Sequence, residues 1–132
     1  MTACVRSEKP TCVRLKRRSD FLFVRHGRSQ RRRAVVVQVR QNRDRAKAEM
    51  GIGFTATKKI GNAVIRNRAK RRLREASRDI LPRAGLGGHD YVFIARFDTA
   101  TIGWQRLLDD MESALISLAD QLLEEAGTPS TR

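Results

Sequence analysis

The chain is 132 residues long, the size of a single domain, and its 40% hydrophobic and 5% aromatic content calls for a mostly aliphatic core. Its 28 basic residues, 22 of them Arg, outnumber 14 acidic ones for a net charge of +14, which fits a polyanionic partner whose counterions are released on binding. No apolar run approaches the roughly 18 residues of a membrane span, no apolar secretion segment opens the chain, and Cys4 and Cys12 have neither a CxxC partner nor a paired His. A cytoplasmic protein with an anionic, nucleic-acid partner is expected.

In chain order, residues 1–15 read as a flexible basic leader. Ser19-Asp20 is a helix N-cap candidate ahead of Phe21, Leu22, Phe23 and Val24, with a stop at Gly27. Residues 34–40 (AVVVQVR) are β-branched and predict a strand. After a charged turn over 42–49, residues 51–57 (GIGFTAT) alternate, with Ile52, Phe54 and Ala56 on one face. These two strands are expected to form an antiparallel hairpin. Across 58–81, Gly61-Asn62 breaks the chain and caps a helix whose buried stripe is Ile65, Ala69, Leu73, Ala76 and Ile80. Pro82 and Gly85 are expected to end it. Residues 91–96 (YVFIAR) predict a central strand. Trp104, Leu107, Leu108, Met111, Leu115, Leu118 and Leu122 then space a long amphipathic helix with its acids outside, before a flexible tail over 127–132. No repeat or second domain interrupts residues 1–132.

The charge is unevenly spread. Residues 1–97 carry +19 and residues 98–132 carry −5, so a basic face and an acidic element turned away from the anion are expected. Catalysis by the chain itself finds no support. His26 and His89 read as two surface imidazoles, Asp109, Asp110 and Glu112 have the spacing of a solvated helix face, and no P-loop, GxGxxG or GxSxG occurs. Neither catalytic residues nor a metal site are predicted.

On the basic helix, Arg66, Asn67, Lys70, Arg71, Arg74 and Arg78 share one side, with Arg68 and Arg72 further round and Glu75 as the only acid before Asp79. A face that merely aids solubility usually mixes signs to gain i,i+4 pairs. This one stacks like charges, which favours a bound polyanion. Asn67 adds a neutral donor and acceptor suited to a base edge or a 2′-hydroxyl. No zipper, helix-turn-helix or zinc spacing favours DNA. Physics alone leaves a structural RNA-binding protein of ribosomal type and a DNA-binding protein as rival readings.

The run Lys58-Lys59-Ile60-Gly61-Asn62-Ala63-Val64-Ile65-Arg66-Asn67-Arg68-Ala69-Lys70-Arg71 closely resembles KKxGxAVxRNxxKR, the signature of the bacterial ribonuclease P protein subunit. Upstream, Arg14-Leu15-Lys16 and Asp20-Phe21 look like that family's RLxxxxDF start, and downstream the likeness reaches Ile94-Ala95-Arg96. It implies an α/β two-layer sandwich (helix–strands–helix–strand–helix) on a mostly antiparallel sheet, with a left-handed βαβ crossover, similar to ribosomal-type RNA-binding domains. It further implies that the protein is a subunit, not the catalyst. Its partners are then a large catalytic RNA, which holds the Mg²⁺, and precursor tRNA, whose 5′ leader is removed; neither DNA nor a membrane is expected. Carried over by position, Lys58, Lys59, Arg66, Lys70 and Arg74 meet phosphates, while Asn67, Arg68 and Arg71 hold the catalytic RNA or help order Mg²⁺ indirectly. Phe21, Arg25 and Arg40 fall in the leader cleft. The chain departs from the pattern where Arg25 stands at the second cleft aromatic and where Val occupies strand positions that relatives fill with an aromatic. Both shift weight from stacking toward arginine contacts.

Overall fold

The apolar run HDYVFIA organises the architecture. Described for residues 11–127, the computed structural model places this strand, His89–Ala95, third of five in a mixed sheet. In chain order the elements are β1 (Thr11–Arg14), α1 (Arg18–Arg25), β2 (Arg28–Arg31), β3 (Val35–Gln41), β4 (Glu49–Thr55), α2 (Ala63–Ala84), β5 (His89–Ala95) and α3 (Trp104–Gly127). A single 3-10 turn over Lys58–Ile60 precedes α2. The sheet order is β1-β4-β5-β3-β2.

The expected β3–β4 hairpin does not form. β5 lies between the two strands, antiparallel to β3 and parallel to β4. The reason is burial: Tyr91, Val92 and Phe93 point to both faces and are all buried, which only an interior strand allows. Two of the four strand pairings are parallel, β1–β4 and β4–β5, so the sheet is half rather than mostly antiparallel. The β4–α2–β5 unit is the expected parallel crossover.

Of the expected leader, residues 1–10 lie outside the described residues. Thr11–Arg14 instead add β1 to the β4 edge, and Leu15 is buried beyond it. β2 (RSQR) was likewise not expected. Both are short polar strands held by backbone pairing, with no alternating pattern to reveal them. α1 starts earlier than the Ser19-Asp20 cap expected: Arg17 is the N-cap, and the Asp20 carboxylate accepts its backbone N–H at 3.4 Å. Pro82 does not end α2 but sits inside it, forgoing one backbone bond while Ile80 and Leu81 just before it stay buried. Gly85 caps the helix, its N–H bonding to Leu81 O at 2.9 Å.

Register assigns the two faces. Val35, Val37 and Val39, Tyr91 and Phe93, and Met50 and Ile52 form one face, packed against Ala69, Leu73, Ala76 and Ile80 of α2 and Leu107, Met111, Leu115 and Leu118 of α3. The other face consists of cross-strand rungs, Gly53–Val92–Gln38 and Thr55–Ile94–Val36, and carries α1 through Val24, Phe21 and Phe23. One acid departs from the expected solvated face. Asp110 is buried, accepting the Ala34 N–H at 3.0 Å and Arg106 Nε at 3.2 Å. The amide at the start of β3 needs an acceptor once α3 covers it, a demand that helical periodicity cannot reveal. Trp104, expected on the buried stripe, is exposed at the start of α3.

Tyr91 is the only tyrosine in the chain. Its hydroxyl accepts the Leu86 N–H at 2.8 Å. Burial pushes its pKa from 10.0 up to about 12, outweighing that hydrogen bond's opposite pull. The folded phenol therefore stays neutral where the unfolded one ionises. This contribution to stability is expected to hold below about pH 10 and to fall by about 3 kcal/mol as pH rises through about 12. Denaturant titrations across that range should show the decline reduced in Tyr91→Phe.

Candidate nucleic-acid interface

Entry into the basic helix is set by two residues. Gly61 takes φ +149°, which disfavours side chains, and a Cβ there would come within 3.0 Å of the Ile65 side chain. Asn62 then accepts the Ile65 N–H on its Oδ1 at 3.0 Å, capping the first turn. Burial of Ala69, Leu73, Ala76 and Ile80 turns the opposite side of α2 outward. Asn67, Arg68, Arg71 and Arg78 are exposed there, and Lys58 and Lys59 are exposed in the preceding turn. Arg66, Lys70 and Arg74 are half-buried along one i,i+4 row.

Not every arginine of α2 is available to a ligand. Arg72 donates to Thr99 O at 2.7 Å and Ile102 O at 2.6 Å, and lies 5.7 Å from the Trp104 ring centroid. Burial, and then the like charge of Arg68, pull its pKa below the ordinary value. It ties α2 to the loop before α3. Arg74 instead lies 5.8 Å from the centroid of Phe54, and the Nε atoms of Arg74 and Arg66 are shielded from solvent without a hydrogen-bond partner.

A cleft of about 760 Å³ opens between α1, the sheet and α2. Lys16, Arg18 and Arg25 provide cations on one side and Lys70 on the other, with Phe21, Phe54, Gln38, Val92 and Ile94 among its lining. Phe21 occupies it because Gly53 has no side chain: a Cβ at Gly53 would sit 2.6 Å from the Phe21 ring. Of the expected cleft residues, Phe21 and Arg25 line it. Arg40 does not; its guanidinium stacks 4.2 Å from the Phe23 centroid, donates to Phe23 O at 3.1 Å, and borders a separate depression with His26 and Arg43. The cleft also contains residues the sequence reading missed. Gln38 stands between two valines of β3, the signal that could have found it. Phe54, on one strand face with Ile52, stacks on Phe93 with centroids 5.7 Å apart while it lines the cleft.

The acids neutralise other cations. Arg28 pairs with Glu125, Arg33 with Asp98, Arg45 with Asp90, Arg83 with Asp79 and Glu112, and Arg106 with Asp110. Among the described residues none of Lys16, Arg18, Arg25, Lys58, Lys59, Arg66, Arg68, Lys70, Arg71 or Arg74 has a carboxylate within 4.0 Å. Uncompensated cations thus line α2, the turn before it and the cleft, while Arg31, Arg40, Arg43 and Lys47 elsewhere also form no ion pair among the described residues. Among the described residues no three His, Cys, Asp or Glu side chains gather as a metal-binding group. His26 is exposed at the end of α1, and His89 Nδ1 lies 2.9 Å from Gly87 O. No helix among the described residues is long and apolar enough to cross a membrane.

Comparison with known proteins finds relatives over most of the chain. A family model described as Ribonuclease P matches residues 10–119. The chain is 54% identical over 119 residues to the ribonuclease P protein component of Caulobacter vibrioides (strain NA1000 / CB15N), covering 90% of this chain and 78% of that protein. It is 52% identical over 106 residues to the Ruegeria pomeroyi protein component, covering 79% and 84%. Among solved structures, the Staphylococcus aureus RNase P protein superposes with a TM-score of 0.65 at 28% identity, covering 77% of this chain and 91% of that one.

Proposed function

The chain belongs to the ribonuclease P protein family, and on that premise we propose that it binds the catalytic RNA of ribonuclease P through α2 and the 5′ leader of precursor tRNA through the cleft. The observation that carries this reading is the pairing of uncompensated charge with aromatic surface in the cleft. Cations without ion-pair partners line a cleft that also offers Phe21 and Phe54, the combination of backbone-tracking charge and stacking surface that suits single-stranded RNA of any sequence. Arg68, Arg71 and Asn67, exposed on α2, suit a folded RNA's phosphates and 2′-hydroxyls. The protein's work is electrostatic: it holds the leader beside the catalytic RNA and offsets the mutual repulsion of two polyanions. On this reading Mg²⁺ is assigned to the RNA, and no chemical step is assigned to a side chain of the protein.

The test adds purified protein to the catalytic RNA and a precursor tRNA at low Mg²⁺. Cleavage at the mature 5′ end is expected to rise, and protein alone to cleave nothing. Absence of enhancement would sink the reading in favour of a purely structural RNA-binding role. Arg68→Ala is expected to weaken binding to the catalytic RNA and to lower the slope of log K against log salt by about one unit, as the loss of one phosphate contact requires. An unchanged slope would remove Arg68 from the interface.

A further inference from the structure

A second groove lies beyond the cleft, between β1 and α2, with a volume of about 140 Å³. Val13, Ile52 and Phe54 give it an apolar lining, while Arg14, Arg74 and Arg78 add three cations. Arg14 and Arg78 are exposed, and neither has an acidic partner within 4.0 Å among the described residues. Arg74 contributes a solvent-shielded Nε with no acceptor. Phe54 lines both the groove and the cleft, so the two are neighbours.

We propose that this groove is a second nucleotide subsite, taking an unpaired leader nucleotide upstream of those held in the cleft. The proposal rests on the reading that the cleft binds the leader. An apolar slot beside an aromatic ring accepts any base, and guanidinium groups at its edge can stack on that base or pair with its phosphate. An apolar peptide side chain would leave three arginines unanswered; a nucleotide answers both features at once. The order along α2 sets the direction. Arg66, Asn67 and Arg68 come first, Lys70 reaches the cleft, and Arg74 and Arg78 reach the groove. At 1.5 Å per helical residue, Arg78 stands about 12 Å beyond Lys70 along the axis. A strand running from the catalytic RNA through the cleft therefore meets the groove last.

Cys12, exposed and lining the groove, supplies the probe. In the full chain carrying Cys4→Ser, assembled with the catalytic RNA, the rate of Cys12 alkylation by iodoacetamide is measured with mature tRNA and with precursors whose leaders grow one nucleotide at a time. Affinity is expected to rise first, as the cleft fills. Protection of Cys12, about tenfold or more, should begin only at longer leaders. Arg14→Ala, a change outside α2, should then lower affinity for long leaders and leave short ones unchanged. Unprotected Cys12 at every length would overturn the proposal, and so would protection by the catalytic RNA alone, which would assign the groove to that RNA. Unprotected Cys12 together with no gain in affinity from any leader would overturn the cleft reading as well, so the two failures are distinguishable.

Discussion

Asp90→Ala is expected to lower the unfolding free energy by about 3–5 kcal/mol, a large share of the total stability of a small domain. The carboxylate is 1% exposed. Its Oδ1 accepts Arg45 Nε at 2.5 Å, and its Oδ2 accepts Asn42 Nδ2 at 2.9 Å. Removing it leaves a guanidinium whose side chain is only 16% exposed with the half-exposed Glu49, at 3.9 Å, as its one remaining acidic neighbour, and breaking a buried pair from one side costs far more than the pair contributes. Asp90→Asn keeps the shape and loses the charge, so its cost should be intermediate. Chemical denaturation of the three proteins checks the order; an Asp90→Ala variant within about 1 kcal/mol of the parent would show that the pair is solvated and weak.

The consequence reaches the cleft. Asn42 and Arg45 lie in the connection from β3 to β4, which must cross the end of β5 because β5 separates those strands. Asp90, near the start of β5, anchors that crossing from within, and Gly88 supports it by accepting the Asn42 N–H and donating to Glu49 O. A loosened crossing would free β4, which brings Gly53, Phe54 and Thr55 to the cleft. Asp90→Ala protein is therefore expected to lose affinity for leader-bearing RNA more than its helix content would suggest.

Elements whose side chains alternate between solvent and core were legible in the sequence; those defined by long-range pairing were not. α2 was read because its apolar stripe repeats at the helical period and its opposite side is almost all cationic. β5 was read because a run apolar on both faces has only an interior place to go. The same logic should have separated β3 from β4, but a short charged turn between two strands reads locally as a hairpin, and only the sheet as a whole shows that β5 claims both edges. β1 and β2 bury little, so their polar side chains carry no periodic signal. At the interface, charge was legible and its division of labour was not. Arg72 and Arg68 look alike in sequence, yet one is tied to the carbonyls of Thr99 and Ile102 while the other faces outward. Composition counts guanidinium groups; only packing shows which of them already have acceptors.

Gly53→Ala is expected to reduce affinity for leader-bearing precursor tRNA about tenfold or more, with little change in binding to the catalytic RNA alone. The added Cβ would lie 2.6 and 2.7 Å from two atoms of the Phe21 ring. Because β4 is paired on both sides, by β1 and β5, the strand cannot easily withdraw, and the ring with α1 must move instead. Overpacking of this kind costs about 1–3 kcal/mol of stability. Loss of one aromatic platform costs about 1–3 kcal/mol of binding per stacked base. A compensating change separates the two effects. Phe21→Leu shortens the side chain that meets the new methyl group, so Gly53→Ala/Phe21→Leu should recover most of the stability while leader affinity stays low. If the double variant regains leader affinity together with stability, the Phe21 ring serves packing alone, and the cleft grips RNA through Lys16, Arg18, Arg25 and Lys70. If affinity stays lost while thermal stability returns, the ring itself meets the RNA, and the absence of a side chain at Gly53 is what holds it there.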